Sequence, residues 1–116
     1  MSEIFDKQHA LEQAGDDPEL ASELFTMLIK ELPELNNKLI LAHEQMDYQA
    51  MWDHAHKIHG STAYCGVPLL KAAAHALEET IKQQNASALP EKIDQVSSEI
   101  ETIIQNKDHI LQQLSI

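Results

Sequence analysis

With 116 residues, the chain has the length of one domain that buries a core without the help of metals or disulfides. Nineteen acidic and eight basic side chains give a formal net charge of -11, the wrong sign for binding nucleic-acid phosphates or an anionic lipid surface. Hydrophobic residues make up 43% of the chain but aromatic residues only 4%, which favours helices over strands, and no stretch approaches the ~20 apolar residues of a membrane-spanning helix.

Glycine and proline residues divide the sequence into helical segments. The first segment is short and ends at Gly15, which suits a helix C-terminus; its apolar residues are Ile4, Phe5, Ala10 and Leu11. Asp17-Pro18 opens a long helix, because aspartate caps an N-terminus and proline is accepted in the first turn. Apolar residues at helical spacing predict one buried stripe in it: Leu20, Leu24, Met27, Leu28, Leu32, Leu35, Leu39, Ala42 and Met46. Pro33 lies inside this helix and is expected to bend it.

Three more helices are predicted after a break at Asp47-Tyr48. The first extends to Gly66 and has its buried positions at Met51, Trp52, Ala55, Ile58, Thr62 and Cys65. The next starts at Pro68, ends in the polar loop 82–87, and buries Leu69, Leu70, Ala73, Ala74, Leu77 and Ile81. Pro90 opens the last helix, whose apolar residues keep helical spacing to the chain end. The short connections predict an all-α fold over residues 1–116, an antiparallel four-helix bundle with a short additional N-terminal helix.

One pair of residues, His56 and Gly60, points to a functional surface. A glycine inside a helix costs roughly 1 kcal/mol relative to alanine, so its position one turn after a histidine requires a reason. Residues four apart share one side of a helix, and the missing side chain therefore leaves the imidazole uncovered. Ile58 is about 160° from His56 around the helix, so His56 faces outward if Ile58 faces the core. His59 is one turn further along and close enough to share a surface patch with His56.

The segment Ala55-His56-Lys57-Ile58-His59-Gly60-Ser61 resembles the A-H-x-[IL]-K-G-[SA] signature of histidine-containing phosphotransfer (Hpt) domains. The likeness covers nearly the whole chain. The chain resembles in particular the C-terminal Hpt domain of hybrid sensor histidine kinases. Further segments that carry it are Gly15-Asp16-Asp17, Phe25, Glu31-Leu32-Pro33, Tyr64-Cys65-Gly66-Val67-Pro68 and Leu77-Glu78. By position, the resemblance implies that His56 is the phosphoacceptor. The family's usual lysine three residues later is His59 here, which replaces a permanent charge by a titratable one.

The resemblance implies a phosphocarrier in a bacterial two-component system rather than an enzyme. His56 would accept a phosphoryl group from the aspartate of one receiver domain and pass it to another response regulator. Lys57, His59 and Gly60 would stabilise the phosphate or contact the partner. The acidic pocket and its Mg²⁺ belong to the receiver domain, so no cofactor is expected in this chain.

The expected partners are receiver domains of a hybrid kinase and of a response regulator, with no nucleic acid and no direct membrane contact. No basic and then apolar signal segment opens the sequence, which favours a cytoplasmic location. The chain is expected to be either free-standing or the cytoplasmic end of a membrane-anchored sensor kinase.

The residues alone leave other interpretations open. The main alternative is a helical interaction module that binds a receiver domain without being phosphorylated. Trp52 is either a core residue or part of a docking surface, and Cys65 is expected to be core packing. No metal site is predicted, because the seven histidines are spread along the chain and no carboxylate or thiol is evident beside His56 and His59. Glu78-Glu79 is interpreted as a pair of solvated charges.

Overall fold

The structure, a computed structural model, describes residues 4–115 and arranges them in six helices. Their bounds are α1 Lys7–Gln13, α2 Pro18–Glu44, α3 Tyr48–Thr62, α4 Pro68–Lys82, α5 Leu89–Gln105 and α6 Lys107–Leu114. Helices α2 to α5 pack in a closed cycle as an antiparallel four-helix bundle, while α1 packs on α2 and α6 packs on α2 and α5. The predicted fold class and the short N-terminal helix are confirmed. None of the helices in this part of the chain has the length and apolar composition needed to cross a bilayer.

Aspartate side chains begin the first three helices. Asp6, Asp17 and Asp47 each accept a hydrogen bond from a backbone N–H of the first turn, at 3.0–3.1 Å. Each carboxylate accepts a hydrogen bond from an N–H that has no partner within the helix, which stabilises the folded protein by about 1 kcal/mol. Proline occupies the first position of both α2 and α4. The helix starts predicted at Asp17, Asp47 and Pro68 are therefore confirmed.

Helix α2 buries a different set of residues from the predicted one. Its buried residues are Ala21, Phe25, Leu28, Leu32, Leu35, Leu39 and Ala42. The prediction was wrong for Leu20, Met27 and Met46, which are 40%, 58% and 47% exposed. The N-terminal half of α2 has apolar residues on two neighbouring faces, and hydrophobic period alone does not choose between them. Phe25 makes the choice by packing edge-on against Phe5, with ring centroids 5.9 Å apart.

The connection between α3 and α4 is a tight turn rather than the end of a longer helix. Helix α3 ends at Thr62, and residues 63–66 form the turn, whereas the sequence predicted helix as far as Gly66. Gly66 has a φ of +64°, which disfavours residues with a Cβ, and an added Cβ would collide with the carbonyl oxygen of Asp6. The N–H of Asp6 donates to the carbonyl of Gly66 at 2.7 Å. This close approach fixes the segment before α1 against the turn that follows α3.

The last predicted helix is divided in two at Asn106. The backbone of Asn106 has φ -103° and ψ 9°, and its side-chain amide donates to the carbonyl of Thr102 at 2.7 Å. Such a local side-chain bond competes with helix continuation. The prediction of one helix to the chain end was therefore wrong. Its apolar spacing is kept because α6 also packs on α2, where it buries Ile110 and Leu114.

Candidate functional site

His56 lies on the outer face of α3. The opposite face carries the buried residues of this helix: Met51, Ala55, Ile58 and Thr62. The side chain of His56 is 64% exposed, so the predicted orientation, with Ile58 inward and His56 outward, is confirmed. The imidazole is held at the surface by the packing of the residues behind it.

The two nitrogens of the His56 ring have different surroundings. Nδ1 lies 3.4 Å from Oε2 of Glu78, which projects from α4. Among residues 4–115, no side chain or backbone group hydrogen-bonds Nε2 of His56. When Nδ1 carries the proton and donates to the carboxylate, Nε2 keeps a free lone pair that faces solvent. The arrangement therefore presents a nucleophilic nitrogen on an exposed ring.

Glu78 lies against both His56 and His59, a contact that the sequence did not predict although Leu77-Glu78 is part of the family resemblance. It is only 6% exposed, so its interpretation as a solvated charge was wrong, whereas Glu79 beside it is exposed. Its Oε1 receives no aligned hydrogen bond and lies 2.5 Å from Nδ1 of His59. A buried carboxylate is costly without partners, and the two imidazoles of His56 and His59 supply them. The sequence does contain one signal that Glu78 is buried. It follows the buried Ala74 by one turn and lies at the edge of the apolar stripe of α4.

Two histidines that are distant in sequence, His59 on α3 and His75 on α4, lie next to each other. His59 contacts Glu78, and its ring centroid lies 5.5 Å from that of His75 on α4. The sequence indicated dispersed histidines and no neighbouring carboxylate, and the structure corrects both points. Within residues 4–115, however, no group of three or more histidine, cysteine or acidic side chains has the geometry to hold a metal ion. The absence of a metal from this protein stays a prediction.

Gly60 borders an open groove between α2 and α3, with a volume of about 430 Å³. A Cβ added at Gly60 would meet no atom within 4 Å, and its backbone is not in the left-handed region. Neither backbone conformation nor internal packing therefore requires glycine at this position. The bare surface at Gly60 leaves the groove beside His56 open.

The walls of the groove are largely apolar and carry two opposite charges. Met27 on α2 and Tyr64 after α3 are large, exposed side chains that line it. Lys57 and Glu31 line it as well, so a cation and an anion face the same space. His59 is directed at Glu78 and is not among the residues that line the groove, so the positive charge there comes from Lys57.

Cys65 lies buried at the base of this groove, as predicted for a packing residue. Its thiol donates to the carbonyl of Leu24, with sulfur and oxygen 3.6 Å apart. Burial raises the pKa of the Cys65 thiol from 9.0 to about 11, and the nearby Glu31 carboxylate adds to the increase. The thiol is therefore protonated at neutral pH and is a poor nucleophile.

Trp52 lies on the other side of His56 from Gly60. Its ring stacks on the imidazole with centroids 5.5 Å apart and planes inclined by 10°. Trp52 is half-buried and borders a smaller cavity together with Tyr48 and Lys82. It packs against the edge of the bundle core and does not line the groove, which favours the first of its two predicted placements.

Comparison with known proteins gives consistent matches in sequence. A sequence model described as the Hpt domain matches residues 23–106. The chain is 33% identical over 86 residues to the sensor histidine kinase GacS of Pseudomonas protegens, covering 74% of this chain and 9% of that protein. It is 36% identical over 80 residues to the signal transduction histidine-protein kinase BarA of Escherichia coli K12, covering 66% of this chain and 8% of that protein. The chain thus spans about a tenth of the length of the curated relatives it matches.

A solved structure supports the same comparison in three dimensions. The Hpt domain of a hybrid sensor histidine kinase from Shewanella superposes with a TM-score of 0.85 at 31% sequence identity. The superposition covers 97% of each chain. The likeness therefore includes the short helices at both ends of the bundle as well as its four long helices.

Proposed function

Because this chain belongs to the Hpt domain family, which carries phosphoryl groups in two-component phosphorelays, we propose that His56 is its phosphoacceptor. The family consists of phosphocarrier modules and not of catalysts. One observation carries the assignment: the imidazole of His56 is exposed and has Nδ1 against a buried carboxylate and Nε2 free. The bare surface of Gly60, one turn further along, leaves room for a donor to reach that nitrogen.

The transfer step follows from the state of the two ring nitrogens. The lone pair of Nε2 attacks phosphorus of an aspartyl phosphate, and the bond between phosphorus and the aspartate oxygen breaks. The electron pair of that bond leaves with the aspartate carboxylate, while the proton stays on Nδ1 next to Glu78. The reverse reaction passes the group to a second aspartate. No general base is needed, because the attacking nitrogen carries no proton.

Glu78 has a distinct part in this step. As the N–P bond forms, the imidazole ring becomes positively charged, and a carboxylate 3.4 Å from Nδ1 stabilises that charge. Glu78 also selects the tautomer in which Nε2 is the acceptor. His59 and Lys57 complete the proposed site: His59 holds Glu78 from the side, and Lys57 is the cation that borders the groove. Mg²⁺ is assigned to the partner, and no residue of this chain is assigned to hold it.

The partner class is the receiver domain, and the groove between α2 and α3 is its proposed docking surface. The exposed side chains of Met27 and Tyr64 give this surface an apolar contact area beside His56. We propose one receiver of a hybrid kinase as donor and a response regulator as acceptor. We propose a cytoplasmic location, either as part of a sensor kinase like those that the chain matches or beside one.

The assignment of His56 is tested by phosphorylation with a ³²P-labelled receiver. We expect the label to transfer to the parent protein as acid-labile, base-stable phosphate and to be absent from His56→Gln. His54→Gln is the matched control, because His54 is two residues away on the same helix but on the opposite side. It should be labelled like the parent.

Two outcomes would count against the proposal. Undiminished labelling of His56→Gln would place the phosphate elsewhere. Tight binding of the receiver without any acid-labile phosphate would favour the alternative, an interaction module that is not phosphorylated. Circular dichroism of each variant checks that the helices are retained.

A further inference from the structure

The stacking of Trp52 on His56 has no role in the proposed transfer step as described so far. Trp52 precedes His56 by one turn of α3, and the two rings are nearly parallel, with centroids 5.5 Å apart. The indole is half-buried, so its own position is held by the protein. The imidazole therefore has one face against a fixed aromatic ring and its edge, at Nδ1, against Glu78.

The imidazole becomes more positive during transfer, and an aromatic ring stacked on it interacts with that charge. Nε2 donates its lone pair to phosphorus while Nδ1 keeps its proton, so the ring passes through an imidazolium-like state. The face of an indole carries a negative electrostatic potential and attracts cations within about 6 Å. Trp52 lies within that distance, and Trp is the aromatic residue that binds cations best.

We propose that Trp52 is a positioning residue for phosphotransfer. Its indole face holds the His56 ring with Nε2 directed outward and stabilises the positive charge that the ring acquires as the N–P bond forms. The proposal rests on the assignment of His56 as phosphoacceptor, and it adds a second contact to that of Glu78. It differs from a docking role, in which Trp52 would contact the receiver and leave the reactivity of His56 unchanged.

A small phosphodonor separates these two roles, because phosphoramidate has no surface that docks. With phosphoramidate, we expect Trp52→Leu to be phosphorylated about two- to fivefold more slowly than the parent, the range typical of an exposed cation–π contact. Trp52→Phe keeps an aromatic face and should recover most of the rate. Leu41→Ala, which shortens an exposed apolar side chain near the C-terminal end of α2, should react at the parental rate.

The same variants are then compared with a phosphorylated receiver. For Trp52→Leu, we expect the rate at saturating receiver to fall and the half-saturating receiver concentration to stay the same. A raised half-saturating concentration together with a parental phosphoramidate rate would overturn the proposal and make Trp52 a docking residue.

A second measurement needs no change at Trp52 and holds even if Trp52→Leu fails to fold. Trp52 is the only tryptophan of the chain, so the emission of the protein excited at 295 nm reports on this stack alone. We expect the emission to change with the same time course as phosphate appears on His56, and to stay constant in His56→Gln. Absence of phosphate on His56 of the parent would overturn the proposed function. Normal phosphorylation of His56 in the parent with constant emission would overturn only the role of Trp52.

Discussion

We propose that the nucleophile, His56, is prepared by residues that do not themselves bond to phosphorus. Glu78 is buried and faces Nδ1 of His56, while Gly60 leaves open space beside the ring. The carboxylate determines which nitrogen is free, and the glycine determines what can reach it. Both features cost stability in isolation, since a buried carboxylate and a glycine within a helix are each unfavourable. Their presence together at one exposed imidazole fits the proposed role of His56 in phosphotransfer.

Gly60 offers a direct test of this conflict between stability and function. Because an added Cβ meets no atom within 4 Å, we expect Gly60→Ala to raise the free energy of unfolding by up to about 1 kcal/mol, measured by urea denaturation. Gly60→Leu should keep the helix but obstruct the receiver and slow transfer strongly. Ala72→Leu adds similar bulk at an exposed position of α4 and should transfer at the parental rate. Parental transfer by Gly60→Leu would show that the open surface has no function.

The Cys65 thiol predicts a pH effect on stability. Its pKa is about 11 in the folded protein against 9.0 as the ordinary value, so the unfolded chain loses this proton first as pH rises. The contribution of the protonated thiol is therefore complete below pH 9 and is lost as pH rises through 11. We expect the parent to lose up to about 2–3 kcal/mol more than Cys65→Ala between pH 8 and 11 in urea denaturation. Parallel pH profiles of the two proteins would show that burial does not protect the thiol.

At the scale of helices, the site depends on how α3 and α4 are joined. The turn at residues 63–66 reverses the chain so that Glu78 on α4 lies against His56 and His59 on α3. Gly66 supports this turn in two ways, through its positive φ and through its close contact with Asp6. The segment before α1 thus braces the connection between the two helices that build the site.

Two glycines with nearly equal φ allow the free-energy cost of backbone strain to be measured apart from the cost of a steric collision. Gly15 has φ +66° and open space around it, whereas Gly66 has φ +64° and the Asp6 carbonyl against it. We expect Gly15→Ala to cost about 1 kcal/mol, from the left-handed backbone alone. Gly66→Ala should cost at least about 2 kcal/mol, since α1 must also shift. Urea denaturation measures both, and equal losses for the two variants would contradict the bracing role of Gly66.

For the whole molecule, the bundle is a rigid support whose charge is strongly unbalanced. Nineteen acidic side chains against eight basic ones leave a net charge of -11 on a chain whose core is apolar and continuous. Self-repulsion of that size weakens the folded state without altering the fold. A negative charge of this size also repels acidic proteins, so the apolar walls of the groove and Lys57 are the features of the proposed docking surface that would attract such a partner.

Salt should therefore stabilise this protein. Raising NaCl from 10 to 200 mM shortens the screening length from about 30 Å to below 10 Å, and we expect the midpoint of thermal unfolding to rise by about 2–5 °C. KCl at the same concentrations should give the same rise, as screening requires. A midpoint that is constant or falls with salt would show that ion pairs outweigh self-repulsion.

Much of the architecture was predictable because it depends on neighbours in sequence. Asp17, Asp47 and Pro68 mark helix starts by local hydrogen bonding and backbone restriction, and the helical spacing around Ile58 places His56 on the outer face of α3. The pairing of His56 with Gly60 also lies within a single turn. These interactions need no knowledge of how helices pack.

Only the tertiary structure decided which residues of different helices contact each other. Glu78 is 22 residues from His56, and its place against two histidines depends on the rotation and register of α4 relative to α3. In the same way, Phe5 packs against Phe25 on the buried face of α2, and α6 packs on α2 after the break at Asn106. A helical period specifies angles around one axis. It does not specify how two axes are set against each other, which is decided by side-chain packing across the core.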